Sequence, residues 1–225
     1  MGVVSPQLYA DAVILDAGLT VGLPSKVTAS TGIDAMVRAI EAYTTRLKKN
    51  PLSDMLALPA LRFMSRNLVR VCEDGHDRAA RQAMLLGAML AGQAFSNTPV
   101  AALHALAYPI GGVFHVPHGL SNALVLLPHV LRFNASHSAP LYAKLATIIA
   151  PDATGSEEAR SYALIVAIDA MANQVGIETQ LRQVGIAESD LNRLAGDAML
   201  ETRLLTNNPH EVSSADAHAI YRAAW

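Results

Sequence analysis

Three side chains far apart along the chain are of the types a divalent-metal site uses. Asp34 lies in Thr31-Gly32-Ile33-Asp34-Ala35, and His104 and His118 bracket the stretch His104-Ala-Leu-Ala-Tyr108-Pro109-Ile-Gly111-Gly112-Val-Phe-His115-Val-Pro117-His118-Gly119. One carboxylate and two imidazoles from different elements form a three-donor set that leaves a coordination position open to substrate. That composition points to metal-assisted redox or hydrolytic chemistry. His115, three residues before His118, is a candidate for an additional ligand or for the wall of a substrate cleft, with an exposed loop histidine as the plain alternative.

Each of these residues also has an ordinary reading. Asp34 follows Thr31-Gly32 and, taken alone, reads as an acid in the first turn of a helix, where negative charge is favourable. Gln93, on an apolar segment, is expected to be a buried amide supporting the site or bonding between helices. Met84, Met89, Leu90 and Phe95 at helical spacing read as core. His76-Asp77 sits in the polar run Glu73-Asp74-Gly75 and reads as a solvated turn, its companions for phosphohydrolase chemistry being missing.

The elements that must position these residues are almost all helical. The one strand expected is Ala12 to Leu15, followed by turn-prone Gly18 and Gly22-Leu-Pro24. Asn50-Pro51 reads as a cap with proline at the first helical position, opening a helix to about Val71 that Pro59 should kink or split. Ala79 to Ser96 is apolar around most of its circumference and is expected to be the central helix. A short helix from Val100 to Ala107 carries His104, Pro109 to Gly119 reads as loop, and Leu120 to Phe133 as a helix bent at Pro128. Further helices are expected at 141–149, 156–175, 188–196 and 213–224, the last opened by the pair Ser213 and Asp216. The fold class is therefore all-α with one short N-terminal strand.

Composition narrows the function classes. Hydrophobic residues make up 52% and charged residues 16% of 225, enough for one well-buried core. The net charge is −2 and the 17 basic residues are scattered, the densest run being Arg46-Leu-Lys48-Lys49, so no nucleic-acid partner is expected. The longest apolar runs, 83–95 and 123–127, are too short or interrupted to span a bilayer. Cys72 stands alone, which excludes an internal disulfide and fits a reducing cytoplasm, the expected location. Neither GxGxxG nor GxxxxGK[ST] occurs, and no βα alternation is visible. A nucleotide-binding half is expected to lie outside the chain.

Taken with their flanks, the motifs resemble the iron-containing, group III alcohol dehydrogenases, and specifically their C-terminal helical domain, of the dehydroquinate synthase-like type. The resemblance rests on Val13-Ile14-Leu15-Asp16, Thr31 to Ala35 running on to Ala39-Ile40-Glu41-Ala42-Tyr43, Asn50-Pro51-Leu52-Ser53-Asp54, Gly92 to Asn97, His104 to Pro109 and Pro117 to Ala123. It covers essentially residues 1–225. It implies an N-terminal α/β domain binding NAD(P) that this chain lacks, a Fe²⁺ or Zn²⁺ ion, and an alcohol, aldehyde or keto acid as substrate. The implied metal ligands are Asp34, His104 and His118, with Val27 against the nicotinamide side and Tyr108 at a place where some relatives carry a histidine near substrate. The exposed face left by the missing domain also implies a homo-oligomer.

One departure stands out. Where the family pattern has a histidine one helical turn after the aspartate, this chain has Arg38. Positions i and i+4 share a helix face, so Asp34 and Arg38 aim at one spot, yet a guanidinium offers only donors. Three arrangements follow: Arg38 substitutes for the metal as an electrophile, as in a metal-independent reductase of the maleylacetate reductase type; Arg38 turns aside and Asp34, His104 and His118 hold the ion with water; or the domain is a catalytically silent module acting by association. Hydride transfer requires the nucleotide-binding half. The purified chain is therefore expected to give no NAD(P)-linked turnover, and NAD(P)H fluorescence rising with an added alcohol would contradict this.

Overall fold

The computed structural model describes residues 5–123 and 127–225. Its central element is α1 (Ser25–Thr44), in which fifteen of twenty residues are buried, including the acids Asp34 and Glu41. Asp34 is thus the tenth residue of a helix, not a first-turn acid. The hydroxyls of Ser30 and Thr31 bond back to the carbonyl of Val27 at 3.2 and 2.8 Å, so these poor helix formers are satisfied inside it.

Around α1 pack α2 (Pro51–Glu73) and α3 (Arg78–Asn97), which form a hairpin over the turn 74–77. Asn50 caps α2 by accepting from the Ser53 amide at 2.9 Å, and Asp77 caps α3 by accepting from that of Ala80 at 2.9 Å. The expected break at Pro59 does not occur. The carbonyl that Pro59 leaves without a donor belongs to Met55, on the solvent side with a side chain 69% exposed. α3 is not the central helix: it buries one stripe, Ala80, Arg81, Met84, Gly87, Ala91 and Ala94. Its alanines and methionines gave it an apolar circumference without a buried one, and Gln93, expected to be buried, is exposed. Gly32 lets the layers close, since a Cβ there would lie 2.6 Å from Leu68 Cδ1 and 2.8 Å from Met84 Cε.

The second half of the molecule is α4 (Ala102–Phe114), α5 (His118–Ala123), α6 (Leu127–Ile149), α7 (Glu157–Gln174), α8 (Leu191–Ala198), α9 (Thr202–Leu205) and α10 (Ser214–Ala224). α4 runs through Pro109, Gly111 and Gly112, so the loop expected over Pro109 to Gly119 shrinks to residues 115–117. Burial of Leu106, Ala107, Pro109 and Ile110 outweighs the local helix-breaking preference. The segments expected at 120–133 and 141–149 instead form α5 and the single helix α6, which contains Pro140; residues 124–126 of the expected helix lie outside the described residues. Ser213 and Asp216 make the expected capping box.

No strand occurs among the described residues, so the one expected at Ala12 to Leu15 is corrected to an irregular segment. A strand needs a neighbour for its backbone groups, and nothing described pairs with this one; Val13 and Ile14 are exposed. Elsewhere, buried polar pairs tie the second half together. The amides of Asn134 and Asn208 exchange hydrogen bonds at 2.9 and 2.7 Å, and Asn207 donates to the Val100 carbonyl at 3.1 Å.

Tyr221 of α10 donates its hydroxyl to the Leu106 carbonyl of α4 at 2.5 Å. Burial pushes the pKa of Tyr221, and that of Tyr142, well above the ordinary value. Both phenols are held neutral in the folded state, whereas in the unfolded chain they ionise near about 10. Their stabilisation is therefore intact below that pH and is lost as pH rises above it. Denaturant midpoints are expected to fall steeply above pH ~10. In Tyr221→Phe the fall should be shallower, from a starting stability lower by about 1 kcal/mol for the lost hydrogen bond; equal slopes in the two proteins would contradict this.

Candidate metal centre

α1, α4 and α5 bring Asp34, His104 and His118 to one point. One ligand atom from each lies within 4.8 Å of the other two. Asp34 Oδ1 stands 3.9 Å from His104 Nε2 and 3.9 Å from His118 Nε2. Asp34 and His104 are buried, while the His118 side chain is 48% exposed and forms the open wall of the cluster. The close approach of α5 to α1 depends on Gly119, where a Cβ would meet the Ser30 carbonyl oxygen at 2.9 Å. That contact seats His118 opposite Asp34.

Glu41, which the sequence reading left without a role, decides how His104 is held. It lies two helical turns after Asp34 and points to the same side of α1. Glu41 Oε2 is 2.6 Å from His104 Nδ1, and its Oε1 accepts from the Leu103 amide at 2.8 Å. α4 has no capping side chain of its own, since Ala101 occupies the cap position. The buried carboxylate supplies the missing acceptor and the negative charge favoured at a helix N-terminus. An ionised carboxylate accepts and does not donate, so a neutral imidazole bonded to it carries its proton on Nδ1 and turns the Nε2 lone pair toward Asp34. The signal was in the sequence: Asp34, Arg38 and Glu41 follow the i, i+4, i+7 rule for one helix face.

Arg38 joins the cluster without blocking it. Its Nη2 lies 2.5 Å from Asp34 Oδ2, the oxygen other than the one nearest the imidazoles. The guanidinium carbon sits 5.8 Å from the centre of the Phe95 ring, a cation–π contact that holds the group to one side. Partial burial draws the His118 pKa below the ordinary value; Asp34 opposes this, and His104 and Arg38 reinforce it. His118 is thereby kept in the neutral form that ligation needs.

Of the remaining candidates, Tyr108 stands beside the cluster, its ring 6.5 Å from that of His104 and 5.9 Å from that of His118. His115 is not brought into the cluster: it is the exposed residue that ends α4, in the left-handed conformation at φ 56°. Val27 is exposed in the first turn of α1. Asp77 is engaged as the α3 cap and with Arg70 at 2.6 Å, and His76 is exposed.

The donor set fits a divalent ion. Zinc or iron takes imidazole nitrogen and carboxylate oxygen at about 2.0–2.2 Å, and inward movements of a few tenths of an ångström would bring three donors at these separations onto one ion. The Asp34 oxygen of α1 and the imidazole nitrogens of α4 and α5, one ring bonded to a carboxylate behind it, form a candidate metal-binding cluster in a helical domain, open on the His118 side.

Residues 28–225 match the family described as "Fe-containing alcohol dehydrogenase family, C-terminal", and the chain belongs to that family. It is 42% identical over 219 residues to the Long-chain-alcohol dehydrogenase 1 of Geobacillus thermodenitrificans, covering 97% of this chain and 55% of that protein. It is 36% identical to the lactaldehyde reductase of Escherichia coli K12, covering 99% of this chain and 57% of that protein. Among solved structures, 1,3-propanediol oxidoreductase superposes with a TM-score of 0.89 at 35% identity, over 93% of this chain and 55% of its own. The chain spans about half the length of these relatives. No helix among the described residues is long and apolar enough to cross a membrane.

If Glu41 fixes the His104 tautomer, Glu41→Gln should weaken zinc affinity by about 10–100-fold, the usual effect of losing a carboxylate behind a ligating histidine. Competition titration against a chromophoric chelator checks this. Unchanged affinity in a folded variant would show that His104 is oriented by other means.

Proposed function

We propose that this chain is the metal-binding half of an NAD(P)-dependent alcohol dehydrogenase, which interconverts an alcohol or hydroxyacid and its carbonyl together with a separate nucleotide-binding domain. The observation that carries the reading is the division of the Asp34 carboxylate: Oδ1 faces both imidazoles while Oδ2 takes Arg38. Of the arrangements open to Arg38, this favours the one in which it stands aside. Asp34, His104 and His118 would hold Fe²⁺ or Zn²⁺. Such an ion, when bound, supplies Lewis-acid polarisation of the substrate oxygen.

The remaining work falls to side chains. Glu41 keeps the His104 lone pair on Nε2 and compensates positive charge from behind. His118, on the open wall, is the ligand beside which substrate enters. Tyr108, next to both histidines, is placed to hydrogen-bond the substrate oxygen or to pass a proton from it. Arg38, 31% exposed, pairs with Asp34 and presents its outer edge to the cleft, where it can grip an oxyanion. His115 is assigned to the cleft rim, outside ligand reach, and Val27 to the side that receives the nicotinamide. The cofactor itself would be bound mainly by the other domain, and a soluble, cytoplasmic homo-oligomer is the assembly that fits this role.

Titration with Zn²⁺ or Co²⁺ tests the reading. One ion per chain is expected, with tetrahedral cobalt absorption, abolished in His104→Ala and lost on acidification as the imidazoles take up protons. Arg38→His, which adds a donor and removes a cation, should tighten binding by at least about tenfold. No uptake in the unaltered chain together with uptake in Arg38→His would transfer the assignment to a metal-independent reductase in which Arg38 polarises the carbonyl.

A further inference from the structure

A cavity of about 520 Å³ opens on the side of the cluster where Tyr108 lies. Its wall includes Phe95, Tyr108, Ser96, Asn97, Lys48 and Arg203. Phe95 is the ring under Arg38 and Tyr108 the ring beside His118, so these two rings stand between the cavity and the cluster, while Asp34 and Arg38 themselves line a separate cavity. No aspartate or glutamate lines it.

Both cations in this wall, Lys48 and Arg203, are exposed. Within the basic run 46–49, Arg46 donates to the Thr206 carbonyl at 3.1 Å, and Lys49 pairs with Asp54 at 2.6 Å. Lys48 has no carboxylate partner among the described residues, and neither has Arg203; the hydrogen bonds of Arg203 run through its backbone carbonyl. Lys48 is also held at φ 58°, a left-handed conformation unfavourable for a residue with a Cβ. Such backbone cost concentrates at ligand sites. Arg203 acts electrostatically on Tyr108, as does Glu201 in the opposite sense. Arg38 acts on Tyr108 in the same sense as Arg203 and Glu41 in the same sense as Glu201; Glu41 is committed to His104 and Leu103, and Glu201 lies outside the wall.

We propose that this cavity, through Lys48 and Arg203, selects substrates whose far end carries an anion, a carboxylate or sulfonate on a short chain, over neutral alcohols of the same length. The proposal rests on the reading of the neighbouring cluster as the substrate centre. An anion in the cavity that these two cations line replaces lost hydration with charge-assisted hydrogen bonds. The aromatic walls contact the intervening carbons, and the hydroxyl or carbonyl end reaches the ring of Tyr108. Glu201 sets the opposing field and limits the preference.

The test compares 4-hydroxybutyrate with butane-1,4-diol, equal in chain length and different in tail charge, by amide chemical-shift titration of the full chain at low ionic strength. The acid is expected to bind at least about tenfold more tightly, with shifts centred on residues 48, 97, 108 and 203, and to lose this advantage in salt. Lys48→Ala/Arg203→Ala should bring the two compounds to parity, and Glu201→Gln should widen their difference. Equal affinity in the unaltered chain, binding of neither, or a preference that survives in the double variant would overturn the proposal, the last by placing the anion at Arg38 or the metal. Zinc uptake is measured in parallel. Discrimination without zinc uptake sinks the metal-centre reading and leaves the anion pocket, whereas zinc uptake without discrimination does the reverse.

Discussion

The constraint on which this fold depends is the burial of two carboxylates on one face of its most buried helix. An ionised acid inside a protein is tolerable only when paired and hydrogen-bonded, and α1 carries Asp34 and Glu41 two turns apart, both with little solvent exposure. The elements around them supply compensation. Arg38 from the same helix takes one oxygen of Asp34, the imidazoles of α4 and α5 face the other, and the Leu103 amide and His104 ring occupy Glu41. The arrangement of α4 and α5 against α1 is therefore an electrostatic requirement as much as a packing one. A core of this kind gives up stability that apolar residues would have supplied, which is the signature of a site.

The parts of this arrangement that were legible in the sequence are those carried by residue type and spacing. Asp34, His104 and His118 are scarce types at positions that converge, and the capping residues Asn50 and Ser213 mark helix starts by local chemistry. What was not legible depended on partners. The start of α1 was hidden because Thr28, Ser30, Thr31 and Gly32 are poor helix formers, and only back-bonding hydroxyls and the fit of Gly32 against Leu68 and Met84 make them acceptable. Pro109, Gly111 and Gly112 read as a loop because burial, not propensity, carries α4 past them. Glu41 lies in a largely apolar run that gives it no local role. A single acid in an apolar run gains its meaning only when the helix N-terminus opposite it lacks a cap.

Two features that could be taken for defects have the same origin. α4 begins at Ala101 without a capping side chain, yet His104, in its first turn, must be held to a fraction of an ångström. Capping from another helix solves both needs at once, because the carboxylate that satisfies the Leu103 amide is the one that orients the ring one residue later. Locally suboptimal sequence at α4 is thus exchanged for coupling between α1 and the site.

Arg38 is best understood through the charge of the whole cluster. With neutral imidazoles, Asp34, Glu41 and Arg38 carry a formal charge of minus one between them, so a divalent cation brings the loaded centre to plus one. A neutral side chain at position 38 would leave it at zero once loaded. The guanidinium therefore trades affinity for the cation against affinity for whatever negative group meets it. In a half-buried site, where water screens poorly, that exchange is substantial. Oxyanions gain and neutral oxygen loses, and the bias has the same sign as that of Lys48 and Arg203 in the wall of the neighbouring cavity. On the proposed reading, Arg38 at the cluster and Lys48 and Arg203 in the neighbouring cavity, of which among the described residues only Arg38 pairs with a carboxylate, act together on the charge of the molecule admitted, while the donors at the centre act on its oxygen.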